Sequence, residues 1–166
     1  MTTPAASAAD ERQAPLPADD PELFQLDLRG LRRRWIGASS RSPIGAQQMT
    51  GADLRAQAMG TPGQRLMEHA GAAVAAAVKA LAEATGRWGT APILVLVGPG
   101  NNGGDGLVAA RWLGRAGADV VVVLAATPAR PTSRDAGRNW DRLDREPRVT
   151  RIHAGTAREL GMLGQN

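Results

Sequence analysis

Five glycines and two asparagines fall within the nine residues Gly98-Pro99-Gly100-Asn101-Asn102-Gly103-Gly104-Asp105-Gly106. Both residue types tolerate positive φ and let backbone amides converge, so the segment is expected to be a loop leading into a helix N-terminus. Free N–H groups and the helix dipole favour a phosphate there. A ligand-free turn is the plainer alternative, but one or two glycines would serve it. Gly98, Gly100 and Gly103 also satisfy G-x-G-x-x-G. An ordinary NAD dehydrogenase would carry Asp or Glu at the end of its second strand, whereas Leu124 is followed by Ala125 and Ala126. No Lys-Ser or Lys-Thr follows the glycines, which excludes a Walker-type nucleotide hydrolase.

Asp105 and Glu68 are the carboxylates expected near this segment. Asp105, set at the expected helix start, reads as an N-cap before it reads as a base. Glu68 lies among apolar neighbours on a helical stretch and reads as a structural hydrogen-bonding partner. His69 reads as a helix-surface or loop-contacting residue. None of the three is assigned as the principal acid/base, so the catalytic residue stays unknown at this stage.

The elements that must position these groups follow from periodicity and breakers. Gln47 to Ala58 reads as a helix that Gly60, Pro62 and Gly63 end. From about Gln64 to Ala84, Leu66, Met67, Ala70, Ala73, Val74, Ala77, Val78 and Leu81 follow helical spacing. Gly71 and the alanines make one side of that helix narrow enough to lie close to another backbone. Ile93 to Val97 is a continuous apolar run, expected as a central parallel strand buried on both faces. A helix from about Gly104 to Ala116 and a second buried strand, Asp119 to Leu124, complete a β-loop-α-β unit. A polar helix over about Arg134 to Leu143, a short strand from Val149 to His153 and a helix start at Thr156 follow. Residues 1–43 are rich in Ala, Pro, Ser and acids and are expected to be a flexible extension. Leu23 to Trp35 is its exception, a short amphipathic stretch ending in Arg32, Arg33 and Arg34.

The chain has 166 residues, enough for one domain. The absence of cysteine removes disulfides, thiolate metal sites and cysteine nucleophiles, and points to a reducing compartment. His69 and His153 are the only histidines, too few for a three-histidine zinc site. Neither a run of about 18 apolar residues nor a secretory leader pattern occurs, so the expectation is a soluble, cytoplasmic protein without a membrane. The net charge of +4 raises nucleic acid as a partner. However, Lys79 is the one lysine among 20 basic residues, and the arginines from Arg130 to Arg151 alternate with Asp135, Asp141, Asp144 and Glu146. That pattern reads as a self-paired helix surface, and nucleic-acid binding is disfavoured.

Leu66-Met67-Glu68-His69-Ala70-Gly71, the string GPGNNGGDG from Gly98 to Gly106, and Leu107-Val108-Ala109-Ala110-Arg111 together resemble the YjeF N-terminal domain family, the NAD(P)H-hydrate epimerases. The match spans about Ile44 to Leu124, and the expected domain is 44–166. The resemblance implies a Rossmann-like, three-layer α/β/α sandwich with a mostly parallel sheet. It implies interconversion of the R and S forms of hydrated NADH and NADPH, a repair reaction that a companion NAD(P)H-hydrate dehydratase completes. By similarity Asn101, Asn102, Gly103, Gly104 and Asp105 bind the nucleotide phosphates, and Asn102 helps hold a potassium ion. A homodimer is compatible with the resemblance.

Two later strings of the family, of the types DALFGTG and DIPSG, do not occur here. The chain is therefore expected to be a partial domain, incomplete on its C-terminal side, without the whole active site and without useful epimerase activity by itself. A non-catalytic nucleotide-binding or scaffold module of the same fold is the alternative, against which retention of NNGGD speaks.

Overall fold

A computed structural model describes residues 15–39 and 42–163. Six helices and three strands are formed within them: α1 Leu28–Ser39, α2 Ala46–Ala58, α3 Gly63–Ala84, β1 Ile93–Val97, α4 Asn101–Arg115, β2 Val120–Ala125, α5 Arg134–Arg142, β3 Val149–Ala154 and α6 Ala157–Leu163. The order of helix and strand from α2 onward follows the sequence pattern. The glycines past the ends of α2, α3 and α4 take positive φ, 95° at Gly60, 67° at Gly86 and 103° at Gly117, which lets the chain reverse without a Cβ clash.

The strands form one parallel sheet in the order β1-β2-β3. Leu94 pairs with Val121 and Leu96 with Val123, which in turn pair with Thr150 and Ile152. The alternate residues Val97, Val120, Val122 and Leu124 pack with Leu107, Ala110 and Leu113 of α4 in the main core. A Rossmann-like α/β fold results, with α4 and α5 packed together and α6 against β3.

β1 departs from the expectation of a central strand. Among the described residues it is an edge of the sheet, and β2 is the centre. Leu94 and Leu96 are 58% and 63% exposed, because the face they share with Val121 and Ile152 carries no covering layer at β1. A continuous apolar run identifies a strand built for two covered faces. It does not say which described residues cover them.

The buried side of α3 also differs. Val74 and Leu81 are exposed, whereas Gly71, Ala72, Ala75, Ala76 and Ala80 are buried. The small residues win because α3 is gripped from two directions, by α4 and by the N-terminal segment. A Cβ at Gly71 would stand 2.4 Å from Val108 and 2.8 Å from the Asp105 carbonyl oxygen, so the close approach read from the narrow side is real.

The N-terminal segment is a correction as well. Where a flexible extension with one amphipathic stretch, Leu23 to Trp35, is expected, residues 15–39 carry two short helical turns, Pro17–Asp19 and Leu23–Gln25, followed by α1, which overlaps that stretch from Leu28. Leu23 and Leu31 form a second buried cluster with Ala76 and Ala80 of α3. Phe24 stacks on Trp112 with ring centroids 5.2 Å apart. The His69 Nδ1 accepts the Ala18 N–H at 3.0 Å, and Arg34 pairs with Asp20. A few large side chains on small-residue grooves hold a segment whose average composition is polar. Residues 1–14 and 40–41 of the expected extension lie outside the described residues.

Candidate functional site

Helix α4 begins at Asn101, three residues earlier than expected, so the loop proper is Gly98-Pro99-Gly100. None of its glycines takes a positive φ. The glycines of α4 answer a different need. A Cβ on Gly103 would fall 2.0 Å from the Gly98 carbonyl oxygen, one on Gly104 2.6 Å from Met67 Cε, and one on Gly106 2.8 Å from Val97 Cγ1. The first turn of α4 is thus pressed onto the end of β1 and onto α3. The Pro99 carbonyl accepts from the Thr132 N–H at 2.9 Å and from its hydroxyl at 3.2 Å, which ties the β2–α5 connection to the same loop.

Gly103 and Gly104 are buried on the inner side of α4, while Asn101 and Asn102 are exposed. Asn101, Asn102 and Asp105 line one cleft of about 480 Å³, together with Asp53 and Gln57 of α2 and Asp135 of α5. The first intrahelical bond runs from the Gly104 N–H to the Gly100 carbonyl, leaving the amides of residues 101 to 103 as the unpaired donors of a helix start. Those donors favour an anion.

The lining carboxylates oppose it. Asp53, Asp105 and Asp135 share the cleft, and no arginine or lysine lines it. Asp135 lies 3.6 Å from Arg138. Burial, and after it the charge of Asp53, push the Asp105 carboxyl up from 3.8 to about 6. Asp105 is not the expected N-cap. That position is Gly100, and Asp105 is the fifth residue of α4, where its side chain turns into the cleft.

The shift has a stability consequence. The folded state holds the Asp105 proton more tightly than the unfolded chain does. This contribution therefore favours folding below about pH 4 and is lost as pH rises through about 6. Asp105→Asn is expected to leave stability unchanged below about pH 4. Near pH 7.5 it should raise stability by about 1 kcal/mol, the full shift being discounted because the carboxyl half faces solvent. Denaturant midpoints at the two pH values check this. Asp53→Asn should move the Asp105 titration, followed by carbon NMR, down toward the ordinary carboxylate range.

Glu68 and His69 face away from this cleft. Glu68 accepts from Arg111 at 2.5 Å and from the Trp112 indole at 2.8 Å, the structural partnership the sequence reading assigns it. Burial raises its pKa, but the hydrogen bond and charge of Arg111, the Trp112 bond and the charge of Arg142 outweigh that and leave it below 4.5. His69 is buried against the N-terminal segment, with Nε2 3.7 Å from Asp19. Sequence reasoning missed Asp53 and Asp135. The available signal was weak: Met49, Asp53 and Gln57 are four residues apart and so lie along one line of α2.

A parallel α/β fold with a glycine-tight strand-to-helix junction, two adjacent amides and a carboxyl beside the helix start defines a Rossmann-like domain with a polar cleft at the start of α4. Residues 63–159 match the profile of the family described as YjeF-related protein N-terminus, and the chain belongs to that family. It is 40% identical over 113 residues to an NAD(P)H-hydrate epimerase of Nitrosopumilus maritimus, a stretch covering 68% of this chain and 51% of that protein. It is 47% identical over 85 residues to a bifunctional NAD(P)H-hydrate repair enzyme of Thermanaerovibrio acidaminovorans, covering 51% of this chain and 16% of the relative. A yeast protein of known crystal structure superposes with a TM-score of 0.59 at 29% identity, over 68% of this chain and 47% of its own. The chain thus spans about half the length of the archaeal epimerase it matches.

Proposed function

We propose that this chain binds hydrated NADH and NADPH at the start of α4 and serves the epimerisation of their R and S forms. The observation that supports the reading most is the retention of Asn101, Asn102 and Asp105 on one cleft at an anion-favouring helix start, in a chain whose relatives are named NAD(P)H-hydrate epimerases. Asn101 and Asn102 would hold the nucleotide phosphates with the free amides of the first turn, and buried Gly103 and Gly104 would let the backbone sit where it does. Asp105, whose carboxyl burial pushes up to about 6, is suited to hold or release a proton, whereas Glu68 is engaged elsewhere.

A dianionic phosphate group beside three carboxylates needs a counter-charge. The side chains at hand are oxygen donors, the Asn102 amide with Asp53 and Asp105 nearby, and these suit a hard monovalent cation such as potassium. Bound there, the ion would offset phosphate charge. Among the described residues no helix is long and apolar enough to cross a membrane. A companion dehydratase fits the reading, because some relatives are named bifunctional NAD(P)H-hydrate repair enzymes, and a cytoplasmic setting belongs to the same proposal. A homodimer belongs to the same proposal.

Calorimetric titration with hydrated NADPH, with potassium or with sodium, tests it. Saturable binding that potassium strengthens is expected, and Asn102→Leu should remove the potassium dependence. No binding in either salt would sink the proposal. Epimer exchange, followed by chromatography, is expected to slow about 10²- to 10⁴-fold in Asp105→Asn if its carboxyl carries the proton. Exchange in that variant equal to the parent's would remove Asp105 from the acid/base role.

A further inference from the structure

A cleft lined by four arginines lies well away from the α4 start. Along the axis of α4, Arg111 stands nine residues beyond Asn102, or about 14 Å at 1.5 Å per residue. Arg111 and Arg115 of α4 meet Arg142 at the end of α5 and Arg145 of the turn that follows, around a cleft of about 370 Å³ whose other walls are Glu68 and Glu146. Four guanidiniums thus face two carboxylates.

The two carboxylates are already engaged. Glu68 holds Arg111 at 2.5 Å and Trp112 at 2.8 Å, and Glu146 holds Arg115 through two bonds to one oxygen, at 2.9 and 2.5 Å. Arg111 is buried and Glu146 nearly so at the base of the cleft, while their partners Glu68 and Arg115 reach toward solvent. Arg111 Nε is buried there with no acceptor among the described residues. Arg142 and Arg145 stand at the exposed mouth, and among the described residues neither forms an ion pair. Arg142 has only the Asn139 amide oxygen, at 3.3 Å. The neighbouring basic residues behave otherwise: Arg130, Arg138, Arg148 and Arg151 each have an aspartate. The cleft itself therefore keeps an excess of positive charge.

The geometry points to a second anion site, a pocket for a phosphate-bearing small molecule held by Arg142 and Arg145 at its mouth and by Arg115 on its wall. Guanidinium forks match phosphate oxygens in pairs, and a cleft whose four guanidiniums outnumber its two carboxylates keeps a net positive charge that suits a phosphate dianion. The cleft at the α4 start has the opposite balance, with three carboxylates and no lining cation, so the two sites select their ligands by different means. The inference stands whether or not the α4 start binds a nucleotide.

The test titrates pyrophosphate into the 166-residue chain by calorimetry and follows the arginine Nε–H resonances by NMR. Saturable one-to-one binding is expected, with shifts at Arg115, Arg142 and Arg145. The variant Arg142→Ala/Arg145→Ala should lose about 100-fold in affinity, about tenfold for each charge-assisted contact, while its thermal unfolding stays that of the parent. Arg142→Lys/Arg145→Lys, which keeps the charge and loses the fork, should fall between the two. ADP binding more tightly than pyrophosphate through the same arginines would assign the phosphate to a nucleotide. Equal or weaker ADP binding would assign it to a free phosphate compound. Silence toward pyrophosphate, or undiminished affinity in the alanine pair, overturns the site. Binding of polyglutamate alone also overturns it, making the cleft a surface for an acidic polypeptide.

Discussion

Replacing Gly103 by valine is expected to abolish nucleotide binding and to cost the fold about 3 kcal/mol or more. The reason is a backbone collision, since any Cβ at this position falls 2.0 Å from the Gly98 carbonyl oxygen and 2.9 Å from its carbon. No rotamer relieves a contact made by the Cβ itself, and both partners are main chain, so α4 would have to lift from the end of β1. Lifting it moves Asn101, Asn102 and Asp105 together. Gly103→Ala shares the Cβ and should fall on the same side, whereas Gly100→Ala, with nothing within 4 Å, should be close to neutral. Denaturant unfolding measures the first effect and calorimetry the second. A Gly103→Val protein as stable as the parent would refute the close-packed junction.

The second large effect is expected at Glu68. Glu68→Ala should destabilise by about 3 kcal/mol, because it leaves the Arg111 guanidinium, 8% exposed, without its carboxylate and the Trp112 indole without its acceptor. Glu68→Gln keeps an acceptor for both and should cost less. The pair is also a pH device of ordinary sign. With its folded pKa below 4.5, Glu68 contributes stability that is present above that value and fades as pH falls through the folded pKa. The gap between parent and Glu68→Ala should accordingly narrow as pH falls below 4.5. A gap that stays constant from neutral pH downward would show that packing, and not the ion pair, carries the effect.

Much of the architecture was legible because its punctuation is local. Gly60, Gly86 and Gly117 end three helices with the backbone angles that glycine alone takes easily, and each apolar run between Gly or Pro residues became a strand. The family string located the cleft through Asn101, Asn102 and Asp105. What failed were readings that depend on partners remote in sequence. Val74 and Leu81 fit the helical stripe as well as any residue of α3, yet alanines are buried because α4 and the N-terminal segment close on the narrow side. The glycines of α4 suggest unusual φ, but their role is close approach, which becomes visible only once Gly98, Met67 and Val97 are in place. Asp53 reaches the cleft from α2, fifty-two residues before Asp105, and no local pattern announces such a meeting. Within residues 15–39 the amphipathic stretch from Leu23 to Trp35 was legible and overlaps α1, but its docking was hidden by composition: Leu23, Phe24 and Leu31 are few among prolines and acids, yet they suffice against a groove of alanines.

Among the described residues Leu94 and Leu96 stand exposed on β1, whose outer main-chain groups have no neighbouring strand. An apolar strip beside an unpaired strand edge is an acceptor of fixed direction and register: a further strand, from elsewhere in the protein or from another chain, would extend the sheet there and bring a covering layer over both leucines.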